Sequence, residues 1–262
     1  MHRGSIISVA RQRIDQLLVD RRIFESRALA RTAVEAGLVR ADGVVIDKAS
    51  RTVAVDCRLE AERPFETVSR AGLKLRAALD HTGLDPAGMI CLDLGASTGG
   101  FSDLLAQRGA ARVYAVDVGH GQLHRRLVGH PRIVNREGVD ARQIDEVHVP
   151  DIVDLVVADL SFIGLAKAIP AGLARLKPGG WLIALIKPQF EAGPNAGKRG
   201  IIRDEALHAE IVARVSAEIA ALGIDGIEVI PSPIEGGDGN REFLLIGRKA
   251  GQSPFSPERT LP

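Results

Sequence analysis

The fold is decided by one stretch, Ile90-Cys91-Leu92-Asp93-Leu94-Gly95-Ala96-Ser97-Thr98-Gly99-Gly100-Phe101. Its apolar opening predicts a buried strand, and its small residues, three of them glycine, predict a turn. From Phe101 onward the apolar residues Leu104 and Leu105 follow at helical intervals. Strand, glycine turn and helix are the start of a βαβ unit, in which a cofactor can lie against bare backbone.

A second apolar run, Val113 to Val116, ends in Asp117, where an acid accepts hydrogen bonds from a ribose diol. A dinucleotide site requires a glycine where Ser97 stands, and its pyrophosphate would meet the acid Asp93. S-adenosylmethionine has an amino group, a sulfonium and a ribose diol, and an acid at position 93 suits it. The residues predicted to contact this cofactor are Asp93, Gly95, Ser97, Thr98, Gly99, Gly100, Phe101, Asp117 and Val118.

Downstream, apolar strands alternate with helices, which predicts an α/β fold with a doubly wound, Rossmann-like parallel sheet. The last two strands, near residues 224–230 and 242–246, are expected to form an antiparallel edge pair. Asp159 and Lys187 follow two of the parallel strands, so both should lie at the edge where such sheets bind ligands. A helix cap is the alternative role for Asp159.

Composition excludes several classes of function. The 262 residues are enough for one well-buried domain and a smaller one. A net charge of +1 gives no general support to nucleic-acid binding, so such binding must rest on a local patch. Cys57 and Cys91 lack nearby partners, which argues against zinc and disulfides, and no metal is expected. The absence of a long apolar run and of a signal-peptide pattern predicts a cytoplasmic protein without membrane association.

Residues 11–63 form the expected smaller domain. Apolar spacing predicts a helix around Ile14 to Leu18, Ser26 is a candidate cap for a second helix, and Asp42-Gly43 indicates a hairpin. The charged stretch 56–68 is expected to be a linker. Arginines crowd the domain and could bind an RNA backbone, although a solvated face with interspersed acids is the alternative. These arginines are Arg11, Arg13, Arg21, Arg22, Arg27 and Arg31.

The order of these features resembles the ribosomal S4-like RNA-binding domain. The resemblance rests on Arg13 to Leu18, Ser26-Arg27-Ala28, Ala36 to Val39, and Gly43 with Val45. It implies that this domain contacts RNA.

Further motifs extend the resemblance over residues 11 to 248. They are residues 68–75 (VSRAGLKL), 92–101 (LDLGASTGGF), 114–123 (YAVDVGHGQL), 158–162 (ADLSF), 187–191 (KPQFE) and 239–244 (GNREFL). Together they are similar to the TlyA family, which joins an S4-like domain to an FtsJ-like methyltransferase domain. The resemblance implies an FtsJ-like domain over residues 64–248, and the Pro and Ser residues of 249–262 predict a disordered tail. It also implies 2′-O-methylation of ribosomal RNA with S-adenosylmethionine, acting on the RNA or on ribosomal subunits.

The same resemblance implies four catalytic residues, Lys74, Asp159, Lys187 and Glu242. Lys187 is expected to take the proton of the ribose 2′-hydroxyl or to hold the oxyanion, with Lys74 acting on it by like-charge repulsion. Asp159 and Glu242 would orient the two lysines. Asp140 stands where the family commonly has Asn and would meet the adenine amino group. The alternative functions are a membrane-active haemolysin and an RNA-binding protein with an inactive methyltransferase domain.

Overall fold

The computed structural model describes residues 10–192, 201–237 and 239–251. The chain divides into two compact units, residues 1–66 and 67–262. Residues 1–9 and residues 252–262, which make up most of the predicted tail, lie outside the described residues. The tail was predicted to begin at residue 249, but Lys249 closes the last strand.

The first unit packs two helices against short strands. Ser26 caps the second helix as predicted, because its hydroxyl accepts the backbone N–H of Leu29 at 3.2 Å. Asp42 and Gly43 both have positive φ, at 48° and 78°, as the predicted hairpin turn requires. The elements are β1 (Arg11–Arg13), α1 (Ile14–Asp20), α2 (Arg27–Glu35), β2 (Val39–Ala41), β3 (Val44–Val45), β4 (Thr52–Ala54) and β5 (Leu59–Ala61).

The expected linker 56–68 contains a strand. Residues Leu59–Ala61 form β5, which pairs with β2 and makes a three-stranded sheet in the order β3-β2-β5. Likewise Arg11–Arg13 form a strand paired with β4 rather than part of the first helix. Both strands are only three residues long, too short for a hydrophobic period to show, and pairing with distant segments decides them.

A buried acid joins the two helices of this unit. The Asp15 side chain is fully buried, and its carboxylate pairs with Arg13 and Arg27 at 2.9 Å each. The hydrogen bond from Arg13 is the main reason why the pKa of Asp15 lies well below its ordinary value. Asp15 therefore links the entry of α1 to the start of α2.

The second unit is built on a seven-stranded sheet in the order β11-β12-β10-β9-β6-β7-β8. The five strands from β10 to β8 are parallel to one another. β12 is antiparallel to both of its neighbours, β10 and β11, which confirms the predicted antiparallel pair of the last two strands. The strands are β6 (Ile90–Leu94), β7 (Arg112–Asp117), β8 (Ile133–Glu137), β9 (Val153–Ala158), β10 (Leu176–Ile186), β11 (Ile224–Pro231) and β12 (Phe243–Lys249). The helices are α3 (Ala71–Thr82), α4 (Gly100–Gln107), α5 (Leu165–Ala168), α6 (Pro170–Arg175), α7 (Pro188–Glu191) and α8 (Glu205–Ala221).

The central strand β6 is covered on both faces, as parallel strands usually are. Leu92 and Leu94 belong to a core on one side of the sheet, together with residues of α6 and α8. Cys91 belongs to the core on the other side, with residues of α3 and α4. This double cover explains why the sequence of β6 is almost continuously apolar and why Asp93 stands out within it.

One predicted helix is broken. The sequence that follows Phe162 predicts a single helix to about Leu176, but α5 ends before Pro170 and α6 begins with that proline. Proline lacks the N–H that a continuing helix needs and is favoured at the first helical position, so it divides the segment.

In the part of the chain that the structure describes, no helix has both the length and the apolar character needed to cross a bilayer.

We expect Asp15→Asn to destabilise the first unit by about 2 kcal/mol, because hydrogen bonds to charged groups contribute roughly 1.5–3 kcal/mol. Since the pKa of Asp15 is depressed, the wild-type contribution is present above pH ~4 and is lost as the pH falls below that value. Hydrogen exchange of the α1 and α2 amides measures the loss. Asp20→Asn, an exposed acid at the end of the same helix, should have little effect; equal protection in both variants would contradict the role of Asp15.

Candidate active site

The glycine turn that follows β6 brings bare backbone to the carboxyl edge of the sheet. Gly95 has φ of 78°, and a Cβ atom there would lie 2.8 Å from the carbonyl oxygen of Asp159. Gly100 opens α4, and a Cβ atom there would collide with the hydroxyl of Ser69. Ser97 also has positive φ, at 48°. The turn therefore keeps a shape that side chains at Gly95 and Gly100 would prevent.

Asp93 is fully buried beneath this turn. Its Oδ2 accepts the hydroxyl of Ser102 at 2.6 Å, and its Oδ1 has no hydrogen-bond partner among the described residues. Desolvation raises the pKa of Asp93 to about 7, against the hydrogen bond from Ser102 that lowers it. A carboxylate held in this way is stabilised by a cation brought into the cleft.

A cleft with two adjoining parts lies over the turn. The inner part has a volume of about 180 Å³ and the outer part about 640 Å³, so the outer part has room for a nucleoside. Of the predicted cofactor residues, the inner part is lined by Asp93, Gly95, Ser97, Thr98, Gly100 and Phe101, and the outer part by Gly95, Ser97, Asp117, Val118 and Asp140. Gly99 lines neither part, because its Cα faces the side chains of Leu123 and Leu127.

Two predicted ligand acids of the outer part are already engaged by the protein. The carboxylate of Asp117 accepts the backbone N–H of Ser97 at 2.8 Å and that of Gly119 at 2.7 Å. Asp140 pairs with Arg142 at 2.5 Å, which lowers the pKa of Asp140 to about 2. Asp117 thus also fixes the turn, and Arg142 competes with any ligand for Asp140.

The four predicted catalytic side chains form a row of alternating charge. Lys187 Nζ lies 2.6 Å from Asp159 Oδ1, as an ion pair. Lys74 Nζ lies 3.8 Å from Asp159 Oδ2 and donates a hydrogen bond of 2.5 Å to Glu242 Oε2. Each lysine is therefore paired with a carboxylate, so like-charge repulsion between the lysines is offset by Asp159 between them.

Only half of this row faces the cleft. Asp159 and Lys187 line its inner part, whereas Lys74 and Glu242 are buried residues outside the lining. Asp159 follows β9, Lys187 follows β10, Glu242 precedes β12 and Lys74 lies on α3, so the elements packed at one sheet edge assemble the row. Of the two lysines, Lys187 is thus the one that the cleft exposes, whereas Lys74 and Glu242 lie behind Asp159.

Three residues of the site were not singled out from the sequence. The hydroxyl of Ser161 accepts a hydrogen bond of 3.0 Å from Lys187. Ser69 lines the inner part, and its buried hydroxyl has no partner among the described residues. Phe162 lines the outer part with a 90% exposed side chain and a φ of 66°. Residues with a strained backbone cluster at functional sites. In the sequence, the signal that could have identified Ser161 and Phe162 as site residues was their position just after Asp159.

The arginines predicted to bind RNA are not equivalent. Arg13 and Arg27 are held by Asp15, Arg11 donates to the carbonyl of Thr52, and Arg21 donates to the carbonyl of Cys57. Within the described residues, Arg22 and Arg31 are exposed and have no such partner. The structure thus leaves these two guanidinium groups most open to a phosphate.

The described ranges contain no group of three or more His, Cys, Asp or Glu side chains arranged to hold a metal ion.

Comparisons with known proteins agree with this geometry. Residues 67–249 match the FtsJ-like methyltransferase family and residues 12–56 match the S4 domain. The chain is 41% identical to "16S/23S rRNA (cytidine-2'-O)-methyltransferase TlyA" of Mycobacterium tuberculosis, over 90% of this chain and 89% of that protein. It is 37% identical to "Hemolysin A" of Brachyspira hyodysenteriae, over 88% and 98% of the two chains. A solved structure named "Putative hemolysin" from Streptococcus thermophilus has 37% identity and a TM-score of 0.72, covering 95% of this chain and 94% of that one.

We expect Asp93→Asn to weaken the binding of S-adenosylmethionine about tenfold or more, because a charged hydrogen bond contributes roughly 1.5–3 kcal/mol. Binding a cation favours the carboxylate, so wild-type affinity should rise with pH up to about 7 and then level off, while the variant lacks this rise. Isothermal titration calorimetry between pH 5.5 and 8.5 measures both effects.

The same substitution should stabilise the ligand-free protein at pH 8. Because the pKa of Asp93 is raised by folding, its burial destabilises the fold increasingly as the pH rises from about 4 to about 7. Asp80→Asn, an exposed acid on α3, is the control and should change neither binding nor stability. Wild-type affinity in Asp93→Asn would refute the assigned contact.

Proposed function

Because this chain belongs to the FtsJ-like methyltransferase family and carries an S4 domain, we propose that it transfers a methyl group from S-adenosylmethionine to a ribose 2′-hydroxyl of ribosomal RNA. The observation that carries the proposal is the row Lys187, Asp159, Lys74 and Glu242, which opens at Lys187 onto the cleft beside the glycine turn. The relative from M. tuberculosis, named for cytidine 2′-O-methylation of 16S and 23S rRNA, supports cytidine as the acceptor.

The cleft fits the proposed methyl donor. The unpartnered Oδ1 of Asp93 suits the amino group of the donor, and the bare turn at Gly95 and Gly100 allows close approach of its methionine part. Asp117, at the end of β7 in the larger part of the cleft, is the candidate for the ribose hydroxyls. The donor supplies a methyl group on a positively charged sulfur, which keeps the electron pair of the broken carbon–sulfur bond.

The chain's own residues must prepare the acceptor oxygen. A ribose 2′-hydroxyl is a weak nucleophile and loses its proton as the oxygen–carbon bond forms. Lys187 Nζ is the nitrogen at the cleft, held by Asp159 at 2.6 Å and by Ser161 at 3.0 Å. We assign the activation of this hydroxyl to Lys187, either as the amine that takes the proton or as the ammonium that holds the oxyanion.

Lys74 and Glu242 have a positioning role in this scheme. Their hydrogen bond of 2.5 Å and the 3.8 Å approach of Lys74 to Asp159 hold the Asp159 carboxylate between two cations. Asp159 is thereby oriented toward Lys187. Both supporting residues are buried, so water does not compete for these contacts.

The S4 domain supplies RNA affinity in this proposal. Arg22 and Arg31 are the arginines that the fold leaves available, and partly exposed Arg13 and Arg27 can add contacts while still paired with Asp15. Phosphate contacts of this kind position an RNA without reading its sequence. Phe162, exposed at the outer part of the cleft, offers an aromatic face to a nucleobase.

We expect Lys187→Ala to lower methyl transfer to ribosomal RNA by roughly 10²–10⁴-fold, the usual contribution of a positioned acid–base group, with S-adenosylmethionine binding retained. Transfer of a labelled methyl group to 16S and 23S rRNA and to ribosomal subunits measures the loss, and mass spectrometry of the RNA locates the product. Lys177→Ala is the matched control, since Lys177 is an exposed lysine near the start of the same strand.

Lys187→Arg separates the two roles of Lys187. Arginine keeps the positive charge but does not give up its proton in proteins. Substantial residual activity would assign Lys187 to holding the oxyanion, and activity as low as that of Lys187→Ala would assign it to taking the proton. Full activity of Lys187→Ala, with Lys177→Ala also active, would exclude Lys187 from the reaction.

A further inference from the structure

The connection between β7 and β8 has an unusual charge pattern. Between Asp117 and Glu137 there is no acidic residue, although the chain as a whole has a net charge of only +1. We call residues 118–132, which connect the two strands, the basic crossover. Its basic side chains are Arg125, Arg126, Arg132, His120, His124 and His130, and Arg136 follows within β8.

The first half of the basic crossover is anchored to the glycine turn. Leu123 and Leu127 are buried and lie where a side chain at Gly99 would have to go. The backbone N–H of His124 donates to the carbonyl of Thr98 at 3.1 Å. This half of the segment is therefore fixed next to the inner part of the cleft, which Thr98 lines.

Glu137 holds the same half from the other side. Its carboxylate accepts the backbone N–H groups of Gly121 and Gln122 at 2.8 Å each and that of Leu123 at 3.1 Å. These contacts lower the pKa of Glu137, with the bond from Gly121 as the largest cause. The carboxylate of Glu137 is thus occupied by three backbone N–H groups of the segment.

Arg125 and Arg126 are the arginines of this anchored half, and both are exposed. Within the described residues, no ion pair or hydrogen bond engages the guanidinium of Arg126. Arg132 differs, because its side chain donates to the carbonyl of Ala110. It also directly precedes β8, at the amino end of that strand, whereas the cleft lies at the carboxyl ends of the strands. Of the arginines in the basic crossover, Arg125 and Arg126 are therefore the two in the half that is anchored beside the glycine turn.

We propose that Arg125 and Arg126 bind backbone phosphates of the RNA beside the nucleotide being methylated. The proposal rests on the proposed function, since it assumes that RNA enters this cleft. Gln122 lines the cleft and Arg126 follows it by four residues, so the two lie within about 14 Å along the chain. Phosphates next to a nucleotide in the cleft are within reach of such side chains, and arginine binds phosphate in a bidentate manner.

An anionic membrane surface is the competing partner, because exposed Val128 follows the two arginines. Two arginines and one valine make a small patch, whereas membrane-surface segments combine a long apolar face with a cluster of basic residues. The position beside a cleft that must admit the acceptor favours RNA.

The test measures the affinity of the full chain for transcribed 16S and 23S rRNA over a range of salt concentrations. Variants Arg125→Gln and Arg126→Gln should each reduce the slope of log affinity against log salt by about 0.7–0.9. At about 0.15 M salt this corresponds to a loss of roughly four- to fivefold in affinity per arginine. In methyl-transfer assays the KM for RNA should rise by a similar factor while kcat at saturating RNA stays unchanged.

Arg108→Gln is the matched control, since Arg108 is an exposed arginine at the end of α4, and its salt slope should equal that of the wild type. Calorimetry with S-adenosylmethionine checks that the anchored segment is intact in each variant. An unchanged slope in Arg125→Gln and Arg126→Gln with intact cofactor binding would overturn the proposal. The proposal would also be overturned if these two variants bound RNA as tightly as the wild type but bound vesicles containing 30% phosphatidylserine more weakly.

Failure of the methylation assay in the wild type has a different meaning. It would refute the proposed function, whereas the arginine contacts are read from RNA affinity alone. A wild-type protein that binds RNA with a slope dependent on Arg126 but transfers no methyl group would keep the contact and remove the activity.

Discussion

The carboxylate of Asp159 between two lysines is the interaction on which the site depends. Burying charged groups costs several kcal/mol for each ion unless each is paired. Lys187, Asp159, Lys74 and Glu242 meet that requirement only as a complete row, since the two inner members each face two opposite charges. Removing an inner member leaves a buried neighbour with less compensation, so the row constrains β9, β10, α3 and the segment before β12 at once.

The other constraint is the cost of presenting bare backbone at the sheet edge. Of the four non-glycine residues with positive φ in the described part of the chain, two, Ser97 and Phe162, lie there, beside Gly95 and Gly99. Asp93 adds a buried carboxylate whose pKa is raised to about 7. The two flanking cores of the sheet hold these unfavourable features in place, and a bound cation would relieve the burial of Asp93.

Charge in the first unit serves two purposes. Arginine is suited to phosphate, but Arg13 and Arg27 are also the partners of the buried Asp15, and Arg21 joins the segment around Cys57 to the end of α1. A count of basic residues therefore overstates the surface available to RNA. The segment between β7 and β8 in the second unit differs from this. No acidic residue lies near its arginines in sequence, but no sequence motif marked these arginines as candidates for RNA binding.

The cofactor turn, the alternation of strands and helices, the cap at Ser26 and the sheet edge that carries Asp159 and Lys187 could all be predicted from the sequence. These features follow from local periodicity, glycine conformation and the rule that parallel strands present their carboxyl ends together. Folding was needed to show that Lys74 meets Glu242, 168 residues away, and that Asp15 holds two of the arginines. Short strands such as Leu59–Ala61 likewise required it, because pairing with distant segments leaves no period in the chain. Local patterns encode which face of an element is buried, whereas the partner of a charged side chain depends on how distant elements pack.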